Sequence, residues 1–382
     1  MTSLLLFPTR ARMTFILMLL FMLSCSAGCR DKGGNEAVEK NQEQTDRPVS
    51  LVMPKQGIYT GAFVDFGEGE AQVTYDALTA FERLTGKPLA VVACGNFWGD
   101  QAFPDKAVRI ISGYGAVPFL FWSPWDKPYE EGQKTGRFGL QDILAGKWNT
   151  YIDNWADAAR QYGKPLLVAW GLEMNGTWFP WSGYFYGRGK VSGHQDGQKL
   201  YAGPELYKQA YRYVVDRVRA RKATNILWGF HVNNFSSPNA PWNRISNYYP
   251  GAKYVDWLGM SVYGKMERSE GWARFDDMMA GPYADICALD PDKPVFVAEW
   301  GVGEFPPGDK AGFIATALRE LPTKYQRVRL AVYWHERWEN KNGSFSNLRI
   351  NSSPESLEAY RTGIASPLWI GRPQFTPRAP EH

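Results

Sequence analysis

Short apolar runs recur along the chain from residue 58 onward, separated by stretches with helical patterning. The runs are IYTGAFV (58–64), PLAVVAC (88–94), AVPFLFW (116–122) and PLLVAW (165–170), then NILWGFHV (225–232), VDWLGMSVY (255–263), PVFVAEW (294–300) and VRLAVYW (328–334). Each is nearly continuous in apolar residues, as expected of parallel strands covered on both faces. Between them, TYDALTAFERLTG sets Leu78, Phe81 and Leu84 on one helical face, and Gly86 can end the helix in a left-handed turn. ELYKQAYRYVVDRVRARK repeats Leu206, Ala210, Val214 and Val218 at intervals of four, with Arg and Lys opposite. GDKAGFIATALREL starts on an aspartate cap and carries Phe313, Ile314, Ala317 and Leu318. Eight such strands with intervening helices predict an α/β fold, a (β/α)8 TIM barrel over residues 56–370. A doubly wound open sheet is the alternative, but no Gly-rich phosphate loop follows the first strand. No repeat of fixed period is visible.

The flanks differ from this core. Residues 1–28 carry Arg10 and Arg12 before an apolar run from Met13 to Leu23, shorter than a comfortable membrane span. Ser26, Ala27 and Gly28 then lead to Cys29, with Cys25 as a competing candidate. The segment resembles a bacterial lipoprotein signal, which implies a lipid on Cys29 and no other membrane attachment. An ordinary cleaved secretory signal is the alternative, and both predict export. No aspartate directly follows Cys29, so the outer membrane or the cell surface is the expected location. Residues 29–55 are polar and poor in large apolar groups, and read as a flexible linker. Residues 371–382 read as a C-terminal tail.

Composition narrows the function. Net charge is +4, about +2 without the two leader arginines, and no basic run interleaves with rings, which excludes a nucleic-acid footprint. Cys94 and Cys287 lack metal-ligand spacing and read as buried thiols, although export leaves a disulfide open. The four histidines show no ligand pattern either, so neither metal nor cofactor is expected. Aromatics reach 15% of the chain, more than a core alone requires, and large rings also serve as flat binding surfaces.

Two carboxylates fall where a barrel keeps its active site, at the C-terminal ends of strands. Glu173 follows the fourth run in GLEMNGTWFPW, and Glu299 closes the seventh in VFVAEWG. A carboxylate ending an apolar strand is costly unless it is paired or useful. Each has a bland reading, a rim salt bridge for Glu299 and a helix cap for Glu173. Together, on opposite sides of a barrel mouth, they suit glycoside hydrolysis, in which one acid protonates the leaving oxygen and a second carboxylate attacks the anomeric carbon. Trp98, Trp122, Trp125, Trp178 and Trp181 then supply rings for sugar faces. His231 and Asn233 follow the fifth run and fit the same mouth. His335 is evenly balanced between site and structure. His194 lies in GRGKVSGHQDGQK (187–199), a Gly- and Lys-rich insert read as a mobile loop beside the acid.

EMNGTWFPW resembles the fourth-strand signature of glycoside hydrolase family 26, the β-mannanases and related β-glucanases. YYPGAKYVDWLGMSVYG (248–264), KPVFVAEWG (293–301) and LAVYWHERW (330–338) resemble its later pieces, in order. The resemblance implies a TIM barrel with Glu173 as acid/base, Glu299 as nucleophile and Tyr263 orienting that nucleophile. It implies that Trp178 and Trp334 flank the cleaved sugar and that Trp122 shapes a neighbouring subsite; Trp181, His231 and Asn233 are expected at the substrate from their places after the fourth and fifth runs alone. The family's usual histidine, arginine and aspartate are here Leu172, Ala169 and Ser261, which puts β-mannan in doubt as the substrate. The expected activity is retaining, endo-acting cleavage of a β-linked polysaccharide. The alternative is a non-catalytic carbohydrate-binding surface protein on the same barrel.

Overall fold

All eight apolar runs form strands: β1 (Ile58–Val64), β2 (Val91–Phe97), β3 (Val117–Ser123), β4 (Leu166–Trp170), β5 (Ile226–Asn233), β6 (Trp257–Tyr263), β7 (Val295–Gly301) and β8 (Val328–His335). The computed structural model describes residues 49–67, 70, 72–126, 136–340 and 342–378. The leader, Cys29 and the linker up to residue 48 lie outside the described residues. The strands pair in parallel in chain order. β8 then returns to β1, from Leu330 opposite Tyr59 to His335 opposite Val64, and closes the barrel.

The helices form around it as their caps direct. α1 (Tyr75–Thr85) starts on Thr74, whose hydroxyl accepts from the Ala77 N–H, and ends at Gly86 with φ of 75°. α2 (Asp105–Tyr114), α3 (Leu140–Leu144), α4 (Asn149–Tyr162), α5 (Ala202–Ala220) and α6 (Phe275–Cys287) follow. α7 (Lys310–Glu320) is capped by Asp309, which accepts from the Gly312 N–H, and α8 (Pro354–Ile364) comes last. One connection departs from the alternation. Between β5 and β6 the chain makes short 3-10 turns at Pro241–Asn243, Ile245–Asn247 and Ala252–Tyr254. That segment is rich in Pro, Asn and Ser, which favour turns over helix.

Part of the expected linker and tail is ordered. Val49–Val52 pairs antiparallel with Gln374–Pro377. The Tyr59 hydroxyl ties both to β1, donating to the Val52 carbonyl at 2.6 Å and accepting from the Gln374 N–H at 2.9 Å. Cys94 is buried, Cys287 is half-buried, and both are free thiols.

Large rings fill the barrel interior. The Trp257 ring stacks on Phe296 with centroids 4.6 Å apart. It lies so close to β5 that a Cβ on Gly229 would sit 2.0 Å from it. The interior is therefore a packed core, and a substrate can enter only at the mouth where the strands end.

Candidate active site

The turn after β4 is built to hold one carboxylate. Gly171 and Glu173 both take left-handed backbone conformations, with φ of 56° and 52°. That is cheap for glycine and costs about 1–3 kcal/mol for a residue such as glutamate. The surroundings enforce it. The Glu173 N–H donates to the His231 carbonyl at 2.8 Å, and the Gly176 N–H donates back to the Glu173 carbonyl at 3.0 Å. Asn175 is fully buried and clips the turn to the end of β5. Its Oδ1 accepts from the Asn233 N–H at 2.9 Å and its Nδ2 donates to the Asn233 carbonyl at 2.8 Å. Trp178 then folds back over Gly176, where a Cβ would lie 2.4 Å from the indole. From there Trp178 Nε1 donates to Glu173 Oε2 at 2.7 Å, while Asn233 Nδ2 donates to Oε1 at 3.1 Å.

Glu299 reaches the mouth through an irregularity in β7. Against β6, Val297 pairs with Met260 but Glu299 with Ser261, so one extra residue is inserted at Ala298. Strict alternation from the inward Phe296 would turn Glu299 outward, and the bulge turns it in. Tyr263 then donates its hydroxyl proton to Glu299 Oε2 at 2.7 Å. His231 Nε2 lies 3.8 Å from Glu299 Oε1 and 2.8 Å from Ser261 Oγ. Glu173, His231 and Glu299 each present an atom within 4.8 Å of the others. Among the described residues these three are also close enough to hold a cation, although His231 Nε2 is already engaged by Ser261.

The electrostatics follow from burial. Both carboxyls are pushed up from their ordinary range. For Glu299 the causes are burial, then the Glu173 charge, with the Tyr263 hydrogen bond opposing. For Glu173 burial is opposed by donors at Ser261, Asn233 and Trp178. The Glu173 charge thus disfavours ionisation of Glu299 beside it. Burial lowers the His231 pKa to about 3, so its ring is neutral. Two further carboxylates act on Glu299 and escaped the sequence reading. Glu70, half-buried in the loop after β1, is pushed up to about 8, first by burial and then by Glu336. Glu336, just past β8, is raised chiefly by burial. The available signal was an acid shortly after a strand end, in FGEGEAQ and YWHERW.

The rings divide sharply. Trp334 stacks on Phe63 with centroids 4.0 Å apart and donates Nε1 to Glu336 at 2.8 Å, forming a wall at the mouth. Trp178, half-buried, is the other indole beside the carboxylates. Trp122 and Trp181 do not line a groove. Trp122 is fully buried on the outer face of β3, stacked on Trp155 of α4 at 4.0 Å, with Nε1 donating to Tyr151. On β3 the inward positions are Phe119 and Phe121, so period-2 alternation turns Trp122 out. Trp181 is 1% exposed, stacks on Phe179 and donates Nε1 to the Leu172 carbonyl at 2.7 Å. Trp98 and Trp125 are likewise core rings. His335 faces outward beside the inward Trp334. Its Nδ1 accepts from the Ile350 N–H and its ring packs on Phe81 of α1. His194 sits on an exposed hairpin, Val191–Gln195 with Gln198–Tyr201, where a loop was expected.

Residues 143–299 match the family profile described as Glycosyl hydrolase family 26. That interval contains Glu173 and ends on Glu299. Endoglucanase H of Acetivibrio thermocellus is 29% identical over 321 residues, covering 83% of this chain and 31% of the relative. Over residues 143–299 the chain is thus similar to glycosyl hydrolase family 26. Another relative in the comparison is a mannan endo-1,4-beta-mannosidase of Bacillus subtilis, 26% identical over 256 residues, 65% of this chain and 61% of that protein. The chain thus spans about a third of endoglucanase H and less than two thirds of this mannosidase. The barrel matches that of GH26C from Muricauda sp. MAR_2010_75 with a TM-score of 0.61 and 16% identity, over 83% of this chain and 87% of that one. Leu172, Ala169 and Ser261, which stand where the resemblance leads one to expect histidine, arginine and aspartate, are all buried.

Proposed function

We propose that the protein is a retaining, endo-acting glycoside hydrolase that cleaves a β-mannan or β-glucan type polysaccharide. The spacing of Glu173 and Glu299 carries the reading. Retaining enzymes hold their carboxyls about 5–5.5 Å apart, whereas inverting ones need about 6.5–9.5 Å to admit a water. Here carboxylate oxygens lie within 4.8 Å. Relatives named endoglucanase H and mannan endo-1,4-beta-mannosidase support the substrate class and internal cleavage.

In the first step an oxygen of ionised Glu299 bonds to the anomeric carbon. The bond to the glycosidic oxygen breaks, and Glu173 gives that oxygen its proton. In the second step Glu173, now ionised, takes a proton from water, whose oxygen displaces Glu299. Tyr263 keeps the nucleophile ionised and aimed by donating to the oxygen that does not attack. Trp178 fixes Glu173 and, with Trp334, offers an apolar face to the sugar. Ionised Glu299 beside protonated Glu173 is the productive arrangement, since one acts as nucleophile while the other gives a proton.

Reducing-sugar release from galactomannan, glucomannan, mixed-linkage β-glucan and xylan tests this, with Glu299→Ala beside the wild type. Activity on one polymer, lost in the variant, names the substrate. No release from any polymer, with binding to one retained in both proteins, favours the carbohydrate-binding alternative, to which the replaced polar positions Leu172 and Ala169 lend weight. Export with lipid attachment at Cys29 belongs to the same proposal and is supported by the pattern of the leader. Cys29→Ser should abolish incorporation of labelled palmitate, and undiminished labelling would refute it.

A further inference from the structure

One carboxylate at the mouth has no part in the double displacement. Glu336 directly follows β8, at the seam where β8 closes against β1. Its backbone is fixed, because its carbonyl accepts from the Leu348 N–H at 2.9 Å. Its side chain is fixed at one end only. Oε2 accepts from Trp334 Nε1 at 2.8 Å, while Oε1 has no hydrogen-bond partner among the described residues. That oxygen stays open to solvent. Glu336 is half-buried, and the buried oxygens left without a partner lie elsewhere, on Asp153, Asp276, Tyr325 and Asn347. Nor does an ion pair claim it among the described residues. Arg349, in the segment after β8, is engaged by Asp65, with Nε 2.9 Å from Oδ2.

The indole that holds Glu336 is itself fixed. Phe63 covers one face of Trp334, with centroids 4.0 Å and planes 7° apart, so a sugar can meet only the other face. Nε1 lies on the edge of an indole, and the carboxylate that accepts from it therefore sits beside the ring rather than above it. A sugar stacked on the free face projects its equatorial hydroxyls past that edge. An apolar face with one acceptor at its rim is what recognition of a neutral sugar requires. Support of the indole would account for Oε2 alone. A neutral amide could hold Nε1 as well, without the cost of taking a charge partly out of water.

The place in the barrel says which sugar is met. β7 carries Glu299 and lies next to β8, with Trp300 opposite Tyr333, the residue before Trp334. Glu173 stands across the mouth on β4. The unit that bonds to Glu299 is the one retained, so the side made by β7, β8 and β1 serves the retained part of the chain. We infer that Glu336 is a substrate-binding residue for that part, with Oε1 accepting a hydrogen bond from a sugar hydroxyl while Oε2 stays on the Trp334 indole. This role rests on the polysaccharide reading of the site.

Glu336→Gln separates binding from support. Glutamine keeps an oxygen for Trp334 Nε1 but puts an amide where the open oxygen stood. The substitution is made in Glu299→Ala, so that neither turnover nor the effect of Glu336 on the nucleophile enters. Migration in native gels holding galactomannan, glucomannan, mixed-linkage β-glucan or xylan gives a Kd for each polymer. On the polymer that retards Glu299→Ala, the double variant should bind about tenfold more weakly or worse, the usual worth of a hydrogen bond to a charged group. Its Tm should match that of Glu299→Ala. Glu336→Ala in the same background should lose at least as much binding. Equal retardation of the glutamine variant overturns the inference and leaves Glu336 a support for the indole. A loss of binding that comes with a Tm as low as that of the alanine variant marks a moved wall and overturns it too. So does a Glu299→Ala protein that no polymer retards. Binding is read here without turnover, so its failure is separate from that of the hydrolase reading, which reducing-sugar release from the wild type decides.

Discussion

Glu299→Gln should stabilise the protein, and the gain should grow with pH. The substitution keeps an oxygen to accept from Tyr263 and removes one of two buried charges whose oxygens lie within 4.8 Å of each other. At an effective dielectric constant of about 20, two unit charges at that separation repel by about 3.5 kcal/mol. That equals a shift of about 2.5 pKa units in whichever carboxyl loses its proton second. The sign follows from linkage. Both carboxyls have folded-state pKa values raised above the unfolded value of 4.5. The folded protein therefore binds more protons than the unfolded chain above pH 4.5, and stability falls as pH rises through the folded pKa values. Below pH 4.5 both carboxyls are protonated in both states, and variant and wild type should match. As pH rises through the raised folded values the wild type progressively meets the repulsion and the variant does not. Thermal unfolding of both proteins between pH 4 and pH 8 measures the difference. It should open from near zero to about 3 kcal/mol, or about 5 °C in Tm for a domain of this size. A difference that stays constant with pH, or a variant less stable at pH 8, would refute the shared burial and repulsion of the pair.

Trp178→Phe keeps the ring but removes the donor on Glu173 Oε2. It should raise the alkaline limb of kcat/KM and cut turnover about tenfold, and a limb that moves down would contradict the contact. Asn175→Ala deletes the fully buried clip between the β4 turn and β5. Urea unfolding should show a loss of about 2–4 kcal/mol, and unchanged stability would show that the clip holds nothing. Trp334→Ala should lower kcat/KM about tenfold or more and, because the ring is buried against Phe63, lower Tm as well. Trp122→Phe should lower Tm and leave KM unmoved, because its ring packs on α4. The reverse pattern would put Trp122 in the groove.

The sequence by itself determined the barrel and the two ends of its chemistry. Parallel strands buried on both faces must be apolar throughout, so all eight were visible as runs. Thr74, Gly86 and Asp309 act through backbone groups within a few residues, so their caps were visible too. Glu173, Glu299 and Tyr263 carry motif residues at fixed spacing, and the fold brings all three to one mouth. What the tertiary structure decided was direction and partnership. Which face of β3 enters the barrel depends on the register at which the ring closes, and one step of parity sends Trp122 into the α4 packing and His335 onto Phe81. The bulge that turns Glu299 inward exists only between β7 and its two neighbours. Trp181 looked like a platform beside an acid, yet its N–H is spent on the Leu172 carbonyl. Ser261 looked like a lost aspartate until β5 set His231 against it. Val49–Val52 and Gln374–Pro377 have no local reason to be ordered, and they pair because the closed barrel brings them together at Tyr59. Local patterning reports how a residue meets its near neighbours along the chain. Charge burial and hydrogen-bond accounting depend on neighbours that only the closed barrel supplies.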